Sequence, residues 1–355
     1  MSAYAIYRLP HGDHATLIRQ TEGEPVELHS LVELNRKQGF VVAPFEVKAE
    51  QPVVLIQGET ENVLLEKVDS RKETRDTTAS LVEEGEYSSF LLPPSSKEHY
   101  SIDFANYHAQ LENDTFRKIV LARCADEKVH VEPMELFHRA CALYPRLFIA
   151  LVETPQSGCW LTATPEILLD GNGTDWRTIA LAGTMKLEGD QLNGEGETLK
   201  WSTKNIQEQR IVSTYITECL EQFTGNFREE GPRTVRAANL VHLRSDFTFK
   251  LDDNNHIGDL LNTLHPTPAV CGLPKRETFR FIVSNEHTPR RYYSGFMGPM
   301  GLDETHLYVS LRCMNIDGDT CRLYAGGGLL KDSCEEQEWQ ETEAKMETMR
   351  RLLYV

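Results

Sequence analysis

Three places in the sequence set charged side chains where apolar ones belong. In Arg117-Lys-Ile-Val-Leu-Ala-Arg-Cys124, strand alternation puts Lys118 on one face with Val120 and Ala122. Such a lysine either runs its stem along the apolar surface to reach water or is held dry and serves as a base. The second use needs burial, because an unperturbed lysine of pKa about 10.4 is neutral in roughly one part in a thousand at pH 7. In the helical pattern from about Ser202 to Phe223, the apolar stripe is Val212, Tyr215, Ile216, Cys219 and Phe223. Glu208 lies four residues before Val212 and seven before Tyr215, inside the stripe. There it is exposed in the first turns of the helix, or it is buried and paired with a cation.

The last helical pattern, from about Glu335 to Leu353, repeats the anomaly. Its stripe is Trp339, Thr342, Met346, Met349 and Leu353, with Glu338, Glu341 and Lys345 along one edge. Solvated Glu–Lys pairs at helical spacing account for that edge. So does a second carboxylate site for a metal shared with Glu208, and an all-oxygen ligand set suits Mg²⁺ better than zinc.

The elements that must position these groups are mostly strands. FVVAPFEV, PVVLIQGE, RKIVLARC, RLFIALVET, CWLTATPEILLD and WRTIALAGTMKL are rich in β-branched and aliphatic residues. THLYVSLRCMNI and DTCRLYAGGGLL flank Asp317-Gly318, a hairpin signal. A helical pattern covers about Asp103 to Glu112, and Ser333 with Glu336 offers a capping box for the last helix. Polar segments Arg71–Glu86 and Asp190–Glu197 read as loops. The glycines of Tyr324-Ala-Gly-Gly-Gly328, and Gly295, Gly298 and Gly301 before them, mark either a curved sheet or a close approach to a ligand. LHPTPAVCGLPK is too proline-rich for a helix or strand interior, and its His265 is a structural hydrogen-bonder or a site residue. Strands without regular strand–helix alternation argue against a parallel doubly wound sheet.

Composition narrows the partners. A formal net charge of −17 repels phosphate backbones, so no nucleic acid is expected, and an anionic substrate needs a local positive centre. No apolar run spans a bilayer and no leader pattern opens the chain, which points to a cytoplasmic protein with no membrane partner. The eight cysteines lack a C-x-x-C pair and read as reduced core residues. No phosphate-loop, zincin or nucleophile-elbow motif is present.

The residues singled out line up, in order, with one family. Phe116–Arg123, Thr164-Pro-Glu166, Ala180-Leu-Ala-Gly-Thr184, Lys204 with Glu208, and Leu264–Gly272 carry the resemblance first. Glu286 with Arg290, Tyr293-Ser-Gly295, Leu311-Arg312, Tyr324–Gly328, and Glu338–Thr342 with Lys345 complete it. The chain resembles the chorismate-utilising enzymes, which include isochorismate, salicylate, anthranilate and aminodeoxychorismate synthases. The match covers about two-thirds of the chain and leaves residues 1–95 largely outside it.

The resemblance implies an α+β fold of two packed, largely antiparallel sheets with outer helices. It implies one domain over residues 1–355, a β-rich N-terminal portion to residue 95 and a catalytic core from 96. It implies Mg²⁺ on Glu208 and Glu341 with Glu338 beside it. Gly183, Thr184, His265, Tyr293, Arg312, Gly328 and Lys345 are its implied contacts to chorismate. Members that use water resemble this chain in having lysine at position 118 as base; anthranilate synthases typically have glutamine there. Aminodeoxychorismate synthases typically carry a nucleophilic lysine where this chain has Ala182. Glu166 becomes the acid that protonates the departing 4-hydroxyl. The implied activity is that of an isochorismate synthase, serving menaquinone or siderophore synthesis and needing no glutaminase subunit. A salicylate synthase, which goes on to eliminate pyruvate, shares every one of these residues. A non-catalytic chorismate-binding subunit is the reading from another class. The subgroup differs from common members at Gln209, where a histidine often follows the glutamate, at Met185-Lys186 and at Thr164.

Overall fold

The computed structural model describes residues 3–65, 95–186, 200–237, 240–301 and 304–354; the expected loops at Arg71–Glu86 and Asp190–Glu197 lie outside these. In chain order the first elements are β1 (Tyr4–Arg8), β2 (His14–Gln20), β3 (Val26–Leu28), β4 (Gly39–Ala43), β5 (Val53–Ile56) and β6 (Gly58–Leu64). Then come α1 (Lys97–Glu112), β7 (Lys118–Lys128), α2 (Pro133–Leu143), β8 (Phe148–Thr154), β9 (Gly158–Thr164), β10 (Ile167–Asn172) and β11 (Asp175–Lys186). After α3 (Thr203–Leu220) the hairpin β12 (Phe227–Ala237) and β13 (Leu240–Lys250) leads to α4 (Ile257–Leu264), β14 (Gly272–Leu273) and α5 (Lys275–Asn285). The chain closes with β15 (Phe296–Met300), β16 (Glu304–Val309), β17 (Cys313–Asp317), β18 (Thr320–Leu329) and α6 (Glu335–Leu353).

Among the described residues the strands make two nine-stranded antiparallel sheets, ordered β14-β7-β18-β17-β9-β8-β1-β2-β6 and β12-β13-β11-β10-β16-β15-β4-β5-β3. Three of the six strands before residue 65 enter each sheet. Apolar residues of both sheets, among them Val42, Phe148, Trp160 and Tyr308, fill the space between them. The outer face of the first sheet is covered by α2 and α6, and that of the second by α3 and α4. This is the α+β architecture of helix layers on a two-sheet sandwich.

Two segments that read as single strands are each divided between the sheets. CWLTATPEILLD breaks at Pro165-Glu166, with β9 in the first sheet and β10 in the second. THLYVSLRCMNI breaks at Ser310–Arg312, where Arg312 takes a left-handed φ of 47°. The two crossovers lie side by side: Val309 N donates to Glu166 O at 2.9 Å and Ala163 N to Arg312 O at 3.1 Å. Alternation within a strand reports burial and not which sheet the strand joins, so the breaks left little trace in the pattern.

Helix α1 starts earlier than its pattern indicates, because Ser96 accepts from His99 N at 3.0 Å and caps it. Helix α6 has the expected bounds, but Cys334 is its N-cap and makes no side-chain cap. Ser333 instead accepts from Leu330 N at 3.0 Å, so the Ser333–Glu336 capping box does not form.

Candidate active site

A cavity of about 70 Å³ opens where the two crossovers, the glycines of β18, Glu208 of α3 and Lys345 of α6 meet. Of the expected site residues, Glu166, Gly183, Thr184, Glu208, Tyr293, Arg312, Gly328 and Lys345 line it. Lys118 lies directly behind, fully buried, with Nζ 2.9 Å from Glu208 Oε1. Its strand face is therefore not purely apolar: a carboxylate from α3 meets the ammonium, a partner set by the tertiary fold.

The consecutive glycines of β18 each make room for one polar group. A Cβ on Gly326 would stand 2.8 Å from Tyr293 Oη, one on Gly327 3.0 Å from Glu338 Oε2, and one on Gly328 2.2 Å from Glu208 Oε1. What approaches these glycines closely is the protein's own side chains. Gly183 interrupts the β11–β13 register between Ala182 and Thr184 and has a φ of 73°, a bulge that turns its backbone toward the cavity.

Glu166 is buried at the first crossover. Burial pushes its carboxyl up to about 8, against the pull of Lys118, Lys345 and Arg312. Burial also works against ionised Glu208, but Lys118 at 2.9 Å outweighs it and holds that carboxyl below its usual range. Two glutamates at one cavity are thus driven in opposite directions, an arrangement suited to an acid beside a permanent anion.

Each of the three expected metal-ligand carboxylates carries a lysine. Lys118 pairs with Glu208, Lys204 with Glu338, and Lys345 with Glu341 at 2.7 Å one helical turn on. Glu338 is buried in α6, not solvated, and its Oε2 has no hydrogen-bond partner. Its carboxyl is raised by burial and by neighbouring Glu341. Among the described residues no three acidic, histidine or cysteine side chains converge closely enough to hold a metal as they stand. The donor set is nevertheless oxygen-only, and the bare Glu338 Oε2 is an atom that a hard cation would satisfy.

His265 lies away from the cavity wall. It is buried edge-on to Phe296, 5.1 Å between centroids, and burial pushes its imidazole down to about 3. Its loop reaches the cavity through Ala269 and Val270 instead.

His242 of β13 is a wall residue that the sequence reading missed. Its Nδ1 is 3.2 Å from Gly183 O and its Nε2 2.6 Å from Arg312 Nη2. Gly183 O can only accept and Arg312 can only donate, so Nδ1 carries the proton and Nε2 is bare. Burial, then Arg312, drives its pKa well below the usual value, so the ring stays neutral and ties Arg312 to the bulge. The signal was a histidine inside LVHLRSDFTF, a strand not picked out beforehand. Gln209, where a histidine is common, is buried and donates to Ser213 and Ser245, both at 2.8 Å.

The profile of the family described as "Chorismate binding enzyme" matches residues 31–354. Isochorismate synthase MenF of Escherichia coli is 33% identical over 242 residues, which are 66% of this chain and 56% of that enzyme. Isochorismate synthase DhbC of Bacillus subtilis is 28% identical over 75% of this chain and 70% of that enzyme. The chain thus spans little more than half the length of MenF. In fold, it superposes on a putative 2,3-dihydroxybenzoate-specific isochorismate synthase, DhbC, from Bacillus anthracis with a TM-score of 0.80 at 23% identity, covering 99% of this chain and 96% of that one. Anthranilate synthase component I of Streptococcus pneumoniae gives 0.71 at 15% identity over 98% and 89% of the two chains. With a profile matched along nearly its whole length and a two-sheet fold shared with these structures, the chain belongs to the chorismate-binding enzyme family.

Proposed function

We propose that the protein is an isochorismate synthase, converting chorismate to isochorismate by attack of water at C2 and loss of the C4 hydroxyl. The observation that carries this reading is Glu166, a buried carboxyl pushed up to about 8 that holds its proton at neutral pH beside a cavity lined by cations. A hydroxide does not leave a ring unassisted, and a protonated carboxylic acid at the cavity wall supplies the proton it needs. Lys118 takes the other role, removing a proton from the attacking water. The balance closes: one water enters, the new C–O bond forms at C2, the ring double bonds shift, and the C4–O bond breaks as Glu166 protonates the oxygen. Lysine at 118 and alanine at 182 favour water over ammonia or a covalent amine.

Arg312, Tyr293 and Lys345 hold substrate carboxylate in this scheme, with the backbone of Gly183 and Gly328 and the hydroxyl of Thr184. Glu208, Glu338 and Glu341 hold Mg²⁺, whose positive charge offsets a substrate carboxylate in a site otherwise rich in acid. We read the chain as one domain, since its first 65 residues complete both sheets, acting in the cytoplasm without a glutaminase.

The test is chorismate with Mg²⁺ near neutral pH, with isochorismate and salicylate both quantified. Isochorismate is expected, ammonium leaves the product unchanged, and isochorismate supplied alone returns chorismate. Salicylate and pyruvate formed at the rate of chorismate loss would make the protein a salicylate synthase, and an amino product would remove the basis for Lys118 as water's base. Glu208→Ala and Glu341→Ala should each lose Mg²⁺-dependent chorismate binding by calorimetry.

A further inference from the structure

The cavity is far smaller than a site for a ring diacid. Small-molecule sites run from about 300 Å³ upward, whereas this one holds about 70 Å³. Two ion-paired side chains, Glu208 and Lys345, stand in its wall, and a third pair, Lys204 with Glu338, lies outside the lining. That pair joins α3 to α6, the two helices bearing the carboxylates proposed to hold metal. Lys204 stands on the first turn of α3, follows the Ser202 cap, and reaches Glu338 on the first turn of α6.

Three observations set Lys204 apart from a surface lysine. Its side chain is only 26% exposed and its partner Glu338 2%. Burial opposes its charge, yet Glu338, Glu341 and Glu208 together hold it protonated above its ordinary range. Finally, Glu338 keeps a second oxygen buried and without a hydrogen-bond partner. An ammonium donates along single directions and leaves that oxygen bare, whereas a divalent cation collects several oxygens at once. The contact is thus adequate to neutralise the site and incomplete as a resting place.

We infer that Lys204 is the resident counter-ion of Glu338, a positioning residue that seats this carboxylate until a divalent cation displaces it. This rests on the reading of Glu208, Glu338 and Glu341 as the metal ligands. The exchange opens the α3–α6 bridge and frees the Lys204 ammonium. Without Lys204, the metal-free protein would leave the Glu338 carboxylate buried and uncompensated, a large cost in a low dielectric.

The test uses Mg²⁺ alone, without chorismate, on the full chain. An amine-reactive ester labels the protein with and without saturating Mg²⁺, and mass spectrometry follows the Lys204 peptide. Calorimetry gives Mg²⁺ affinity for the wild type, Lys204→Met, Lys204→Arg and Glu338→Gln. We expect Lys204 to be labelled several-fold faster with Mg²⁺. Lys204→Met should bind Mg²⁺ about tenfold tighter, equivalent to about 1.4 kcal/mol, while Lys204→Arg stays near the wild type. Glu338→Gln should bind Mg²⁺ weakly. Unchanged labelling, or Lys204→Met no tighter than wild type, overturns the exchange while Glu338→Gln still reports a valid metal site. If Glu338→Gln binds Mg²⁺ like the wild type, the ligand assignment falls, and the exchange with it. Labelling of the wild type keeps the inference testable even if Lys204→Met does not fold.

Discussion

Two buried glutamate–cation pairs in this molecule have opposite characters. At Glu286 and Arg290 every group is used: Arg290 donates to both carboxylate oxygens at 2.6 and 2.7 Å, and to the carbonyls of Val270 and Val120 at 2.7 Å. Glu286 also accepts from Ala122 N at 2.8 Å. The pair fastens β7 to the loop that carries Ala269 and Val270, and so fixes one wall of the cavity from behind. At Lys118–Glu208 and Lys204–Glu338 the charges are neutralised, but the hydrogen bonding is not completed, and Glu338 Oε2 stays bare. The planar guanidinium closes a network, whereas the point charge of an ammonium leaves one open. Incomplete satisfaction at buried charge is costly, and at Glu338 a cation bound as proposed would relieve it.

Breaking the closed pair should have the largest effect on the fold. Arg290→Met leaves Glu286 buried without its cation, and urea unfolding should show a loss of about 3–5 kcal/mol. Millimolar Mg²⁺ should not restore it. Lys118→Met also strips a buried carboxylate, but there Mg²⁺ should recover part of the lost stability, because Glu208 belongs to the open pair. Equal response of the two variants to Mg²⁺ would erase the distinction.

Chemistry separates the regions next. Lys118→Met and Glu166→Gln should each lower chorismate turnover by about 10²–10⁴-fold, the usual worth of a positioned base or acid. Glu166→Gln should fold normally, since the amide fills the same space without a charge to bury.

The pH response follows from the same residue. Glu166 must be protonated to act, so kcat/KM should fall as pH rises through about 8. For stability, the folded state keeps this proton at pH values where the unfolded chain, with a glutamate pKa of about 4.3, has lost it. Stability therefore declines as pH rises between those limits. Thermal melts from pH 5 to 8 should show wild type losing ground to Glu166→Gln, which has no proton to lose.

The smallest effect concerns the helices that deliver the carboxylates. Ser202 caps α3 by accepting from Asn205 N at 3.2 Å, whereas Cys334 gives α6 no side-chain cap. Cys334→Ser should therefore stabilise by about 0.5–1 kcal/mol in chemical denaturation, while Ser202→Ala costs a similar amount.

Much of this was written in local pattern. The bounds of α6, the start of α3 near Ser202, the hairpin at Asp317-Gly318 and the misfit of Lys118, Glu208 and Glu338 all follow from residue spacing and helix or strand periodicity. These depend on a few neighbouring residues, which is the range over which sequence and conformation are tightly linked. What lay beyond that range was decided by tertiary structure. The breaks at Pro165-Glu166 and Ser310–Arg312 deliver an acid and a guanidinium to one cavity because the chain changes sheets there, and a sheet change depends on partners more than a hundred residues away. The placing of His242 against Gly183 and Arg312, the pairing of Lys118 with Glu208, and the siting of His265 beside Phe296 likewise need two strands or a strand and a helix to meet. A period tells which side chains share a face. Only packing tells what that face meets, and the protonation of Glu166 depends on what it meets.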